Sequence, residues 1–512
     1  MTASTGGDHS VEHVEVRPGA YADSVTLLQV SRDVAAVPGV LAAQVAMATP
    51  LNLEVLAAMG FTLPECPSSA MVVALRVAEQ DTLADALAAV TSALAAAGGT
   101  SGEATGIAPP RTIRAALRSA PADAGGLVLV SVPGAHALPE AMDALDAGRD
   151  LMVFSDNVPL EQELVLKGVA AERDLLVMGP DCGTAIVGGV GLGFANATER
   201  GPVGIVAASG TGCQQVVSLL DAAGTGVGAA LGVGGRDLST DVGGLATRAA
   251  LARLDDDPSI EHLLVISKPP ADEVAEALRT YAASLSTPVT FALLGPGRPD
   301  LTAATEDLLE AMGRPTPEWP TWRPREPPGQ GPRDPAPGTR ASGTFLRGLF
   351  VGGTLCDEAM LLAGAALGPI HSNIPLQPDL ALDSSLSAPA HLMIDFGDDA
   401  LTQGRAHPMI DPTLRLEHLG RLAADPQTGV LLIDVVLGHG AEPDPADALA
   451  PAIARARADR DLPVVVACVG TRGDPQGLSR QAATLARAGA EVHLSNAAAT
   501  RRAVELVTGA AR

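Results

Sequence analysis

The sequence predicts an apolar strand, Val203–Ala207, that runs into Ser209-Gly210-Thr211-Gly212 at the start of a helix. A helix N-terminus presents unpaired amides and a partial positive charge, and glycines with hydroxyl side chains let an anion come close. The four residues therefore suit a phosphate or carboxylate cradle, although an ordinary strand-to-helix turn with a serine cap uses the same residue types. A second glycine turn, Gly232-Val233-Gly234-Gly235-Arg236-Asp237, follows the next strand. In parallel α/β sheets the carboxyl ends of neighbouring strands share one crevice, so both turns can face one ligand. Arg236 suits a bidentate grip on an oxyanion, and Asp237 could orient it or take a metal. A surface ion pair between them is the plainer alternative.

Lys167 and Lys268 are the only lysines among 34 basic residues. Lys268 falls at a strand's carboxyl end, in Ser267-Lys268-Pro269-Pro270, where a cation serves function; Lys167 falls in a helix, where Glu163 four residues earlier explains it. Met178-Gly179-Pro180-Asp181-Cys182 and Ser155-Asp156-Asn157 end two further strands. No histidine lies near Cys182 to activate it, so it reads as a packed small residue rather than a nucleophile. Between Ile394 and Pro412 polar side chains crowd together. Asp398 and Asp399 have metal-ligand potential, Arg405 can hold an anion, and His407 is expected to titrate near neutrality as a general acid or base. A solvated loop ending in a helix start would use similar residues. Gly438-His439-Gly440 reads as a second anion cradle facing the first.

These residues need a scaffold that brings strand ends together. The recurrent grammar from Gly126 to Leu294 is a short apolar strand, a glycine or proline turn and an Ala/Leu-rich helix, and it resumes at Leu346–Phe350, His391–Asp395, Val430–Val435 and Pro463–Cys468. Strands that are apolar throughout and alternate with helices indicate parallel sheets covered on both faces. The first hundred residues predict a small α+β module, closed by a Gly/Ser/Thr stretch at Gly98–Gly106. Between Gly313 and Gly343 nine prolines predict an extended spacer.

With 512 residues, about three domains are expected. A net charge of −25 and only 7 Phe, 2 Tyr and 2 Trp argue against nucleic-acid and membrane-surface binding. No run of 18 apolar residues is present, the N-terminus has no signal-peptide pattern, and five cysteines without a Cys-x-x-Cys pair fit a reducing cytoplasm.

The run from Gly179 through Ser209–Gly212 to Asp237 resembles the α subunit of succinyl-CoA synthetase and other NDP-forming acyl-CoA synthetases, and residues 344–512 resemble the carboxyl-terminal domain of its β subunit. Phe154–Val158, Gly234–Ser239, Ser267–Ala271, Gly352–Leu355 and Gly404–Arg415 resemble the FdrA family across nearly the whole chain. The resemblance implies an α/β fold of tandem three-layer parallel-sheet domains. In order they are an N-terminal α+β module (1–106), a CoA-binding-like Rossmann domain (107–200), a flavodoxin-like domain (201–312), the linker (313–343) and a second flavodoxin-like domain (344–512). It also implies that the helix N-termini at Ser209–Gly212 and Gly438–Gly440 meet around phosphate. Three features depart from the synthetases. The glycine-rich turn near the amino end that cradles CoA in the synthetases does not appear, Leu293–Pro299 contains no histidine to phosphorylate, and the ATP-grasp domain has no counterpart.

The expectation is a subunit that handles a carboxylate and an acyl phosphate. It would act in an oxamate carbamoyltransferase complex of purine and allantoin degradation, with Arg236, Lys268 and His407 catalytic. Ser209, Gly210, Thr211, Gly212, Gly234, Gly235, Arg405, Gly438, His439 and Gly440 would bind phosphate or carboxylate. CoA and Mg²⁺ stay open as cofactors, and an oligomer with companion subunits is expected. A CoA ligase subunit that needs a separate ATP-grasp partner is one alternative, and a non-catalytic anion-sensing scaffold is the other.

Overall fold

A computed structural model describes residues 10–509 apart from 21, 23, 65, 68–69, 99–109, 111, 120–125, 325–342, 403–405 and 459. Arg405, the Gly/Ser/Thr stretch from residue 99 onward and most of the expected spacer lie outside the described residues. The chain divides into two compact units, residues 1–109 with 403–406, and residues 110–402 with 407–512.

In the first unit the strand Met71–Val77 lies between Val11–Arg17 and Val40–Met47, antiparallel to both. Its side chains alternate in the period-2 manner of a strand. Met71, Val73, Leu75 and Val77 join one core with Leu27, Val30 and Val90, while Val72 and Ala74 join another with Leu56 and Phe61.

The second unit contains three sheets. Leu127–Val130, Asp150–Val153 and Val177–Met178 form a short parallel sheet with Asp150–Val153 in the middle. In the next sheet Val289–Leu293, His262–Ser267, Val203–Ala208 and Ala229–Gly232 run parallel in that order, as the sequence grammar predicts. A hairpin that the sequence reading did not contain, Thr184–Val187 with Val190–Gly193, extends it antiparallel. The third sheet, of seven strands, is parallel except at one edge, where Thr321–Trp322 pairs antiparallel with Glu491–His493. The start of the expected spacer is thus folded: Trp319 Nε1 donates to Glu306 Oε1 at 2.7 Å, and the prolines around Thr321–Trp322 sit at a sheet edge, where a missing N–H is tolerated.

The second and third sheets share one core. Helices Gly210–Ala222 and Leu301–Ala311 pack against Gly353–Leu367 and Asn496–Thr508 around Val216, Leu220, Leu308, Leu355, Ala359 and Ala503. Buried amides fix the register of this packing: Gln215 accepts from the Asn496 N–H at 2.9 Å and donates to Leu494 O, and Asn496 Nδ2 donates to Glu358 Oε2 at 2.7 Å. The expected domains 201–312 and 344–512 are therefore one packed body.

A buried charge network ties the first of these sheets to the second. Lys167, on the helix Leu160–Glu172, donates to Glu163 Oε1 at 2.7 Å, as the sequence spacing predicts, and also to Asp237 Oδ1 at 2.8 Å and Val233 O at 3.0 Å. Asp237 also accepts from the Thr247 N–H and hydroxyl and from the Ala246 N–H, capping the next helix. Both of its oxygens are engaged in this network, and it is buried rather than a surface partner of Arg236. Removing one partner of such a cluster strands the others as buried charges. Lys167→Met is expected to lower stability by about 3–5 kcal/mol, read as a fall in the urea midpoint followed by circular dichroism; an unchanged midpoint would refute the role assigned to the network.

Candidate active site

The carboxyl ends of the parallel strands converge, as the sequence predicts, but not every turn takes its expected place. Ser209 caps the helix Gly210–Ala222 by accepting from the Gly212 N–H at 2.9 Å, and its hydroxyl donates to Thr354 Oγ1 at 2.6 Å. Thr354 lies in the first turn of the helix Gly353–Leu367, whose N-cap is Gly352. A methyl group on Gly352 would lie 2.8 Å from Thr211 Oγ1, and one on Gly212 3.1 Å from Thr354 Cγ2. The two N-termini thus meet at near van der Waals contact, and glycine is required there to let backbone approach side chain.

The turn facing Ser209–Gly212 is Gly352–Thr354, and not Gly438–Gly440. Gly438 and Gly440 adopt φ of +126° and +78°, and the turn packs on the segment after the hairpin, with the His439 N–H donating to Ala195 O at 2.8 Å. Its glycines answer a backbone requirement of the bend. The missed turn carried a readable signal, since Gly-Gly-Thr after the apolar strand Phe345–Phe350 repeats the grammar of Ser-Gly-Thr-Gly after Val203–Ala208.

Lys268 stands beside this junction. A methyl group on Gly353 would lie 2.9 Å from Lys268 Nζ and 2.7 Å from Asp395 Oδ2, so the glycine keeps the space between them open. Asp357 approaches the ammonium at 3.9 Å. Burial opposes the charge on Lys268, but Asp357, Asp395 and Asp181 outweigh it and raise its pKa. Burial pushes the Asp395 carboxyl up to about 7, against the pull of Lys268 and of the Gly397 N–H, and pushes Asp357 to about 6. Crowding by the surrounding protein, and next the Asp399 carboxylate, raise Asp181 to about 7. Asp434, raised by burial to about 6, accepts from the Val351 and Gly352 amides at 2.8 and 2.9 Å and from Arg415 at 3.0 Å.

Arg236 has a part-exposed side chain, but its Nη2 is already engaged, donating to Val158 O at 2.7 Å and pairing with Glu163 at 2.9 Å. Gly234, at φ +88°, is closed over by Pro180 O, and a methyl on Gly235 would stand 4.0 Å from Asp181 Oδ2. The second glycine turn therefore packs on the Gly179–Asp181 turn. The Ser155 hydroxyl is spent on Val132 O. Burial drives the Cys182 thiol far above its ordinary range, consistent with a packed residue.

His407 departs from expectation in its chemistry. Burial, and then Arg415, lower its pKa to about 4, so it is neutral near pH 7 and does not titrate there. Its Nδ1 accepts from the Met409 N–H at 3.2 Å, which assigns the proton to Nε2. A methyl on Gly397 would lie 2.9 Å from that nitrogen and 3.2 Å from Asp395 Oδ1, which places a neutral donor beside a carboxyl that titrates near 7.

Comparisons with known proteins place this architecture. Residues 349–506 match the CoA-ligase family model, and residues 9–109 match a model described as AllF, heavy metal-associated domain. The protein YahF of Escherichia coli, itself uncharacterized, is 35% identical over 508 residues, covering 93% of this chain and 95% of YahF. The chain belongs to the CoA-ligase superfamily. The α subunit of the ADP-forming succinate–CoA ligase of Aquifex aeolicus is 29% identical over 199 residues, 38% of this chain and 63% of that subunit. The SauD subunit of the ADP-forming sulfoacetate–CoA ligase of Bilophila wadsworthia is 25% identical over 187 residues, 35% of this chain and 61% of SauD. This superfamily member thus spans less than two thirds of either ligase subunit.

Two groups implied by these families can be tested against the residues present. A soft heavy metal selects paired thiolates, and residues 9–109 contain one cysteine, Cys66, so they do not fit it. For CoA, the glycine after the strand Leu127–Val130, Gly134, has its open side filled: a methyl there would lie 2.1 Å from Asp156 O. That turn does not fit a pyrophosphate cradle. Among the described residues no group of three or more His, Cys, Asp or Glu side chains is arranged to hold a metal ion, and no helix is long and apolar enough to cross a membrane.

The raised carboxyls set a pH dependence. An anion bound beside Asp395 and Asp181 disfavours their ionised forms, so binding takes up protons near pH 7 and weakens as pH rises. Sulfate, a dianion throughout, is expected to bind more weakly at pH 8 than at pH 6 by up to about tenfold per pH unit, and titration calorimetry should show a flatter slope in Asp395→Asn. The slope should persist in His407→Gln.

Proposed function

We propose that this superfamily member binds an acyl phosphate between the helix N-termini at Ser209–Gly212 and Gly352–Thr354 and transfers its acyl group to a small carboxylate-bearing acceptor. The observation that carries the reading is the junction of those two N-termini over Lys268. Two partial positive charges, the Thr211 hydroxyl beside Gly352 and the Lys268 ammonium beside Gly353 lie at that junction, while the Ser209 and Thr354 hydroxyls bond to one another. Lys268 would neutralise charge developing on the departing phosphate, and the amides of Gly210 and Thr211 would hold its oxygens. His407 Nε2 would donate to the acyl or carboxylate oxygen.

The pair proposed is carbamoyl phosphate and oxamate. The oxamate amide nitrogen attacks the carbamoyl carbon, the C–O bond to phosphate breaks, phosphate leaves and oxalurate forms. Asp395, rather than His407, is the group suited to take the nitrogen's proton, because a base poised near 7 is matched to that task. Neither CoA nor a phosphohistidine is needed, in keeping with the closed turn at Gly134 and the absence of histidine from Leu293–Pro299. Arg236, with Nη2 held by Glu163 and Val158, would tune Asp181 from the rim.

A CoA ligase reading has its own support in the match of residues 349–506 to the CoA-ligase model. The deciding assay measures phosphate release from carbamoyl phosphate with and without oxamate, beside thioester formation from succinate, CoA and ATP, using the chain alone and with its genomic neighbours. Oxamate-dependent release that falls about 10²- to 10³-fold in Lys268→Ala and in Gly353→Val is expected. Thioester formation without oxamate-dependent release would overturn the transferase reading in favour of the ligase.

A further inference from the structure

The Gly438–Gly440 turn, displaced from the junction of helix N-termini, borders a different space. A cavity of about 220 Å³ lies between the hairpin, the loop after it and this turn, with Ile186 and Val227 as its apolar lining and Thr198, Arg200 and His439 among its polar groups. Its walls are fixed. Asn196 Nδ2 donates to Leu437 O at 3.0 Å and to Asp474 Oδ2 at 2.8 Å, the Ala197 N–H donates to Asp474 Oδ1 at 2.8 Å, and the His439 N–H donates to Ala195 O.

The polar groups at this space are left unspent. Arg200 has no carboxylate within ion-pairing distance among the described residues, and its charge reaches Asp257 only through space. Arg200 is an exposed residue that lines the cavity, where its guanidinium can meet a ligand. The Thr198 hydroxyl reaches only Glu199 O, at 3.4 Å, and the exposed His439 imidazole makes no hydrogen bond among the described residues.

We propose that this cavity is a second anion site that takes a small organic carboxylate. The planar fork of Arg200 matches a carboxylate edge, with Thr198 and His439 able to donate to the same group. Ile186 and Val227 offer contact to a short carbon chain, which inorganic phosphate does not have. The volume lies below the roughly 300 Å³ at which drug-sized ligand pockets begin, so the ligand is a metabolite of a few carbons. The site is independent of the reading given to the Lys268 cleft.

The test titrates succinate, propionate and inorganic phosphate into the full chain carrying Lys268→Gln, so that the main cleft contributes little. Removing a charge-assisted contact is expected to weaken carboxylate binding about tenfold or more in Arg200→Gln, and again in His439→Ala, an exposed position that leaves the fold intact. Phosphate is expected to bind at least about tenfold more weakly than succinate by the same comparison. Carboxylate affinities unchanged by both substitutions, or phosphate binding as tightly as succinate, would overturn the assignment.

Discussion

Two helices that point their N-termini at one another present like partial charges, each of roughly half a unit, at close range. That arrangement is unfavourable unless negative charge lies nearby, and the surroundings of Ser209 and Gly352 are organised by this need. Asp434 accepts the Val351 and Gly352 amides from below, and Asp395 and Asp357 lie beside the second helix and Lys268. Burial keeps these carboxyls from ionising as readily as they would in water. The negative charge supplied from within is therefore partial, which is the electrostatic ground on which an anion is proposed to bind in the cleft.

The same requirement explains where buried polar groups accumulate. Helices that must present their ends to each other have to be held in register along their lengths. Gln215, Asn496 and Glu358 do so between the two sheets, while Glu163, Lys167 and Asp237 do so between the short sheet and the turn bearing Arg236. Apolar packing alone tolerates sliding, whereas a buried network of directional hydrogen bonds favours one geometry.

Much of the scaffold is legible in the sequence because strands buried on both faces are continuous apolar runs, and Val203–Ala208, His262–Ser267 and Val464–Val469 are of that kind. The hairpin Thr184–Gly193 was not, since its strands are short and interrupted by glycines. Within the site, Ser209–Gly212 and Lys268 are recognisable from residue type at a strand end. Gly438–Gly440 misleads because glycine serves two ends: it admits a ligand, or it permits a positive φ, and a sequence does not distinguish them. The titration of Asp181, Asp395 and His407 is legible only in three dimensions. It depends on enclosure and on charges far away along the chain, such as Asp399 on Asp181, or on a neighbouring helix, such as Arg415 on His407.

Both helix N-termini of the junction belong to a single polypeptide, and the bodies that carry them share one core. Where such halves reside on separate subunits, the cleft exists only at concentrations that sustain their association. Here the second half is always present at the effective concentration its tether allows, so closing the cleft is a unimolecular event. Assembly of this cleft is consequently indifferent to dilution and to the stoichiometry of expression, and it is inherited with the fold of each molecule as it is made.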